Sequence, residues 1–211
     1  VLTLFLPLPV TLLFVGIIHL FGDIWKMLLF RSGREWRIIL SFGIPGVALS
    51  FAGANLSIDV DAALLERLLG GFLLAYVAFL FLEREWKLPK TLAFAVTGGA
   101  LSGFFAGIFG VGGAIRGTFL TAFDLKKATY IFTSGAIAFL IDTVRIGTYL
   151  TQGVHLGSPL LYGMMAFIPA SLAGAFLAKK VVDRIPQREF RLVIAGVLGV
   201  LAVRYLCFPE T

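Results

Sequence analysis

Charge is scarce in this chain of 211 residues: 14% are Asp, Glu, Lys or Arg, against 59% hydrophobic. A soluble domain carries nearer a quarter charged residues. The deficit, with a mean hydropathy of +0.96, points to an integral membrane protein. Cysteine is almost missing as well; the single Cys207 excludes a disulfide framework within one chain and has no partner for a metal site. The only histidines are His19 and His155, and no spacing of His, Cys or carboxylates suits a metal. No P-loop and no Ser/His/Asp set at an elbow is present, so neither an enzyme nor a cofactor is indicated. The first 18 residues are uncharged, so they lack the basic start of a secretory signal and none is expected. The formal charge of +6 is dispersed between apolar segments, which fits an anionic membrane surface better than nucleic acid.

Long apolar runs are what the chain has instead. Residues 38–58, 91–115 and 146–178 contain no Asp, Glu, Lys or Arg, and about 20 helical residues cross a ~30 Å hydrocarbon core. Seven apolar elements are expected, at about 8–30, 38–55, 64–82, 91–122, 128–150, 159–178 and 190–207. The fourth exceeds one span.

Two parts of the chain are alike. Thr11 to Phe30 can be laid on Tyr130 to Tyr149 with an offset of 119 residues, so that Asp23 matches Asp142 and Lys26 matches Arg145. Further on, Ile44 to Gly46 matches Ile168 to Ala170, and Arg67 matches Arg191, with an offset of 124. The expected organisation is therefore two repeats, 1–87 and 88–211, in one membrane domain. Val1 then corresponds to Leu120, and the first repeat lacks a counterpart to the glycine-rich opening of the second.

Loop charges decide the topology. Basic residues number three in 31–37, none in 56–63, three in 83–90, two at Lys126 and Lys127, none in 151–158 and four in 179–189. Simple alternation of seven spans divides them six and six. If 91–122 enters and returns to the same side, all twelve fall on one face, as the Lys/Arg excess of cytoplasmic loops demands. The two repeats then run in opposite senses. The expected fold is an all-α polytopic membrane protein of two inverted repeats with a glycine-broken, re-entrant helix, an architecture that recurs in secondary transporters.

The break is expected at "GVGG", where Gly110, Gly112 and Gly113 crowd four residues. Glycines also let membrane helices approach closely, so packing is one reading. The other is a gap between half-helices whose free N–H groups, at a positive dipole end, bind an anion. Arg116 follows in the second half-helix, placed either to complete that site or to snorkel toward Lys126 and Lys127. Ser134, Ala138, Asp142, Arg145 and Tyr149 form one stripe at helical spacing, matched by Val15, His19, Asp23, Lys26 and Phe30. Intramembrane charges usually face a protein interior or an aqueous cavity. Each acid can neutralise its own base at i, i+3 and lock helices together, or serve coupling. His19, a turn before Asp23, is a candidate proton acceptor. Pro45 and Pro169, at equivalent positions, kink helices.

The segment "GALSGFFAGIFGVGGAIRGTFL", followed by "LKKATYIFTSGAIAFLID", resembles the TauE/SafE permeases, also called the toluene sulfonate uptake permease family. Gly110, Gly112 and Gly113 match the family's Gly-x-Gly-Gly-Gly segment, with Ala114 in place of the last glycine, and Thr133 and Ser134 fit its hydroxyl-rich part. "HLFGDIWKMLLF" with "RSGREWR" is a weaker match to the first half. The family's proline after the glycine segment is absent, Arg116 to Thr118 standing there. The resemblance implies import or export of small, often sulfur-containing anions such as sulfite, sulfonates or sulfoacetate, across a bacterial or archaeal inner membrane.

The expected function is thus a proton-coupled permease for a small anion. Gly110, Gly112, Gly113, Arg116, Thr133, Ser134 and Arg145 are the candidate substrate residues. His19, Asp23 and Asp142 are the candidate coupling residues, with Lys26 as a charge partner. The partners are the anion, the proton and the lipid bilayer. An anion channel, or a membrane assembly subunit whose paired charges only fasten helices, would use the same residues without coupling.

Overall fold

A computed structural model describes residues 6–31, 33–82, 87–181, 195, 196, 199, 200 and 202–208. Every regular element among them is helical: α1 (Leu8–Leu29), α2 (Trp36–Asp59), α3 (Ala62–Leu82), α4 (Leu92–Phe109), α5 (Gly112–Ala122), α6 (Lys127–Thr151) and α7 (Ser158–Val181). The expected element at 190–207 is described in part, and its described residues, 195, 196, 199, 200 and 202–207, are helical; the basic residues Arg84, Arg184, Arg188 and Arg191 lie outside the described residues. Among the described residues, five helices, at Leu8–Leu29, Trp36–Ser57, Leu92–Phe109, Lys127–Thr151 and Ser158–Leu177, are long and apolar enough to cross a membrane. Their outward faces suit lipid. Tyr162 and Met165 on α7 are 72% and 75% exposed, an arrangement that water would oppose.

The chain forms two compact units, Val1–Ile58 with Lys87–Ala175, and Asp59–Trp86 with Phe176–Thr211. In the second, α3 packs on residues 202–206: Gly70 lies against the Ala202 carbonyl and the Leu206 side chain. The buried Glu66 faces Arg204 Nη1 at 3.9 Å.

The first unit holds the features singled out in the sequence. Here the expected element 91–122 is two helices. α4 stops where Gly110 turns left-handed, at φ 74°, a conformation open to glycine without steric cost. Its N–H bonds back to Ala106 O and Phe105 O. α5 then starts at Gly112 and runs back along α4. Ser102 Oγ donates to Gly112 O at 2.9 Å, a Cβ at Gly98 would meet the Phe119 ring, and Leu88 N–H donates to Ala122 O at 2.9 Å. The start of α4 and the end of α5 are therefore neighbours, and the two helices form an antiparallel hairpin. With 11 residues, α5 is ~16 Å long, about half a hydrocarbon core.

Two further pairings frame the hairpin. Gly99, Gly103 and Gly107 of α4 abut the carbonyl oxygens of Phe42, Gly46 and Ser50 of α2, leaving no room for a side chain at any of the three. Because both series advance together, α2 and α4 run parallel along a seam of small residues. α1 and α6 run antiparallel: Gly16 sits against Arg145 and Ile146, while Gly135 sits against Asp23, Lys26 and Met27. Pro45 and Pro169 both lie inside helices, α2 and α7.

Replacing Gly103 by Val should wedge the α2–α4 seam apart, at a cost of about 2 kcal/mol or more. Gly174, whose Cβ would enter open space, serves as the control. Thermal unfolding in detergent should show a lowered midpoint for Gly103→Val and an unchanged one for Gly174→Ala.

Candidate functional site

A helix that ends leaves its last four carbonyls without intrahelical partners. In α4 these include Gly107, Ile108 and Phe109, all of them buried, where an unpaired carbonyl is costly. α6 answers the first of them and reinforces the turn before it. The Tyr149 hydroxyl donates to Gly107 O, and Arg145 Nη1 donates at 3.2 Å to Ala106 O, which also accepts from the Gly110 N–H. A cation at this end also matches the helix dipole. Asp142 Oδ1 lies 2.9 Å from Arg145 Nη2, so the charge, with its side chain only 1% exposed, is paired. Glycine makes the space for it. A Cβ at Gly110 would stand 3.1 Å from Nη1, and one at Gly16 would stand 2.8 Å from Nη2. Arg145 Nε remains buried without a partner among the described residues.

The other side of the break is a helix start. Val111, the N-cap residue of α5, offers no side-chain acceptor. The N–H groups of Gly112 and Gly113 have no acceptor among the described residues. Gly112 is buried against Ser102 and Ala106, while Gly113 is exposed. Uncapped donors at a positive dipole end suit an anion.

Arg116 projects from α5 toward α6. Its Nε donates to Ser134 Oγ at 3.1 Å, so the half-buried guanidinium turns inward to α6. Thr133, beside Ser134, is fully buried, and its Oγ1 has no partner among the described residues.

On α1, Asp23 is buried and holds Lys26 Nζ at 2.8 Å. The pair mirrors Asp142–Arg145 in chemistry but not in setting: the Lys26 side chain is 48% exposed. His19 is exposed, and the charges of Asp142, Arg145, Lys26 and Arg116 all reach it. Asp23 in turn feels Lys26, Arg116 and Asp142. The structure thus gathers His19, Asp23, Lys26, Arg116, Asp142 and Arg145 into one charged cluster beside the break, from three helices. No group of three His, Cys, Asp or Glu among the described residues could hold a metal. His155 lies apart, in the loop after α6.

Sequence reasoning gave Tyr149 no role beyond its place in the stripe and passed over Ser102. Tyr149 closes the end of α4, and Ser102 ties α4 to the start of α5. The stripe spacing was the available signal for Tyr149. For Ser102 there was none, because its partner is a carbonyl brought close only by the hairpin.

Comparison with known proteins points to a membrane transporter family. The family model described as sulfite exporter TauE/SafE matches residues 1–205. A probable membrane transporter protein of Methanocaldococcus jannaschii is 25% identical over 189 residues, covering 80% of this chain and 67% of that protein. No solved structure matches the chain.

Removing the arginine should cost far more than removing the hydroxyl. Arg145→Met strands the buried Asp142 carboxylate, a loss of about 3–5 kcal/mol. Tyr149→Phe removes one hydrogen bond and should cost about 1–2 kcal/mol. Thermal unfolding of the purified variants in detergent checks the order; equal shifts would contradict it.

Proposed function

The chain belongs to the sulfite exporter TauE/SafE family, and from that membership we propose that it is a secondary transporter for a small, sulfur-containing anion of the sulfite, sulfonate or sulfoacetate type, coupled to protons. One observation carries the reading: the uncapped start of α5, with the free N–H groups of Gly112 and Gly113, lies beside a cluster of cations drawn from three helices. Oxyanions of this class present three oxygens to hydrogen-bond donors. Gly112 and Gly113 supply backbone donors, Arg116 a guanidinium, and Thr133 and Ser134 hydroxyls. Gly110 shapes the break and Arg145 anchors it, its Nε left without a partner among the described residues. His19, Asp23 and Asp142 are the coupling groups, and Lys26 the half-exposed partner charge. A channel would need no titrating group, so the presence of His19 among these cations favours a coupled carrier.

The same reading gives the hairpin its place in the membrane: it enters and leaves on the cytoplasmic side, and the repeats 1–87 and 88–211 are inverted. The antiparallel α1–α6 pair supports this, because its contacts are reciprocal. Gly16 meets Arg145, and the equivalent Gly135 meets Lys26, the residue equivalent to Arg145. A two-fold axis in the membrane plane produces that exchange. Rocking of one repeat against the other would then expose the site alternately to the two sides of a bacterial or archaeal inner membrane.

In proteoliposomes, an imposed proton gradient should drive saturable sulfite or methanesulfonate flux. Arg116→Gln should reduce that flux about tenfold or more, as loss of a charge-assisted hydrogen bond does. Flux that is indifferent to the gradient would favour a channel, and no saturable flux would favour an assembly subunit.

Topology has a separate test. In a Cys207→Ser background, single cysteines at Lys87 and Lys126 should react with an impermeant maleimide from the same side of the membrane. Labelling from opposite sides would remove both the re-entrant hairpin and the inverted repeats.

A further inference from the structure

We propose that His19 sets the valence of the anion the site accepts: with a neutral imidazole the site takes a monoanion, and with an imidazolium it takes a dianion. The proposal rests on the anion-transport reading of the same cluster and goes beyond it, to selection by charge.

The argument begins with a count. Lys26, Arg116 and Arg145 contribute three positive charges, and Asp23 and Asp142 two negative ones, so the cluster carries one net positive charge while His19 is neutral. Four of these five charges are committed. Lys26 lies 2.8 Å from Asp23, and Arg145 lies 2.9 Å from Asp142. The surplus is the guanidinium of Arg116, whose Nε meets only the neutral hydroxyl of Ser134 among the described residues. His19 differs from both acids. It is exposed, and it has neither a hydrogen bond nor an ion pair among the described residues. The charges that reach it come from all three helices of the site: Lys26 on its own helix, Asp142 and Arg145 on α6, and Arg116 on α5, while Asp23, one turn further along α1, is held by Lys26.

Imidazole is the side chain whose ordinary change of charge falls between about pH 5 and 8, which makes His19 the member of the cluster suited to carry an exchangeable proton. That proton changes the cluster from one net positive charge to two. A bound complex carried through a low-dielectric interior is least costly when its total charge is near zero. The neutral-His19 cluster reaches zero with a monoanion, and the protonated cluster reaches zero with a dianion. For an oxyanion whose two forms differ by one proton, the loaded site has the same composition either way, the proton resting on the anion or on the imidazole. Each dianion taken from solution therefore brings one proton with it.

Direct binding to the purified full chain tests this, using methanesulfonate as a permanent monoanion and sulfate as a permanent dianion in calorimetric titrations. Lowering the medium from about pH 8 to about pH 5.5 should raise the ratio of sulfate to methanesulfonate affinity about tenfold, the effect of one added charge at this range. In His19→Gln the ratio should stay at its alkaline value throughout, and in His19→Lys at its acidic value. A wild-type ratio indifferent to pH, or a pH-dependent ratio persisting in His19→Gln, would overturn the proposal while leaving the transport reading intact. Failure of wild-type protein to bind either anion at any pH would overturn the transport reading and this proposal together.

Discussion

The end of α4 is the constraint on which the rest of this structure depends. A helix that stops in an apolar interior needs donors for its last carbonyls, and water is not there to supply them. Arg145 and Tyr149 reach across from α6 to Ala106 O and Gly107 O. Bringing an arginine to that depth requires a counter-charge, which Asp142 provides one turn away. It also requires room, which Gly16 and Gly110 provide by having no side chain. Once the end of α4 is closed in this way, α5 can begin immediately, and its free N–H groups are fixed a short distance from the same cations.

The glycines serve three different physical ends. Gly110 is needed for its left-handed backbone. Gly99, Gly103 and Gly107 are needed because α2 comes so close that any side chain would strike its carbonyls. Gly112 lets the start of α5 pack against Ser102 and Ala106, and Gly113 beside it is exposed. The sequence offered packing and helix breaking as competing explanations for this glycine-rich region. Both operate, at different positions of the same hairpin.

Much of this was legible beforehand, for identifiable reasons. The acid–base pairs at i, i+3 are local, so spacing alone placed Asp23 with Lys26 and Asp142 with Arg145. The break at Gly110 was legible because three glycines in four residues interrupt an apolar run too long for one span. What sequence could not give was the difference between the two pairs. Arg145 is enclosed because α4 ends against it, whereas Lys26, its counterpart, is half exposed; that depends on tertiary neighbours. The inward turn of Arg116 to Ser134 was likewise undecided, since snorkelling and site-facing rotamers share one sequence. Tyr149 and Ser102 escaped notice because their acceptors are backbone carbonyls, which no residue pattern records.

An experimental map of the protein prepared with selenite, a heavier analogue of sulfite, tests the central claim most directly. Anomalous scattering locates selenium without reference to any assumed site. The account predicts a selenium peak within hydrogen-bonding reach of the Gly112 and Gly113 N–H groups and the Arg116 guanidinium. Selenium found only at exposed basic loops, with the start of α5 empty at saturating selenite, would contradict it.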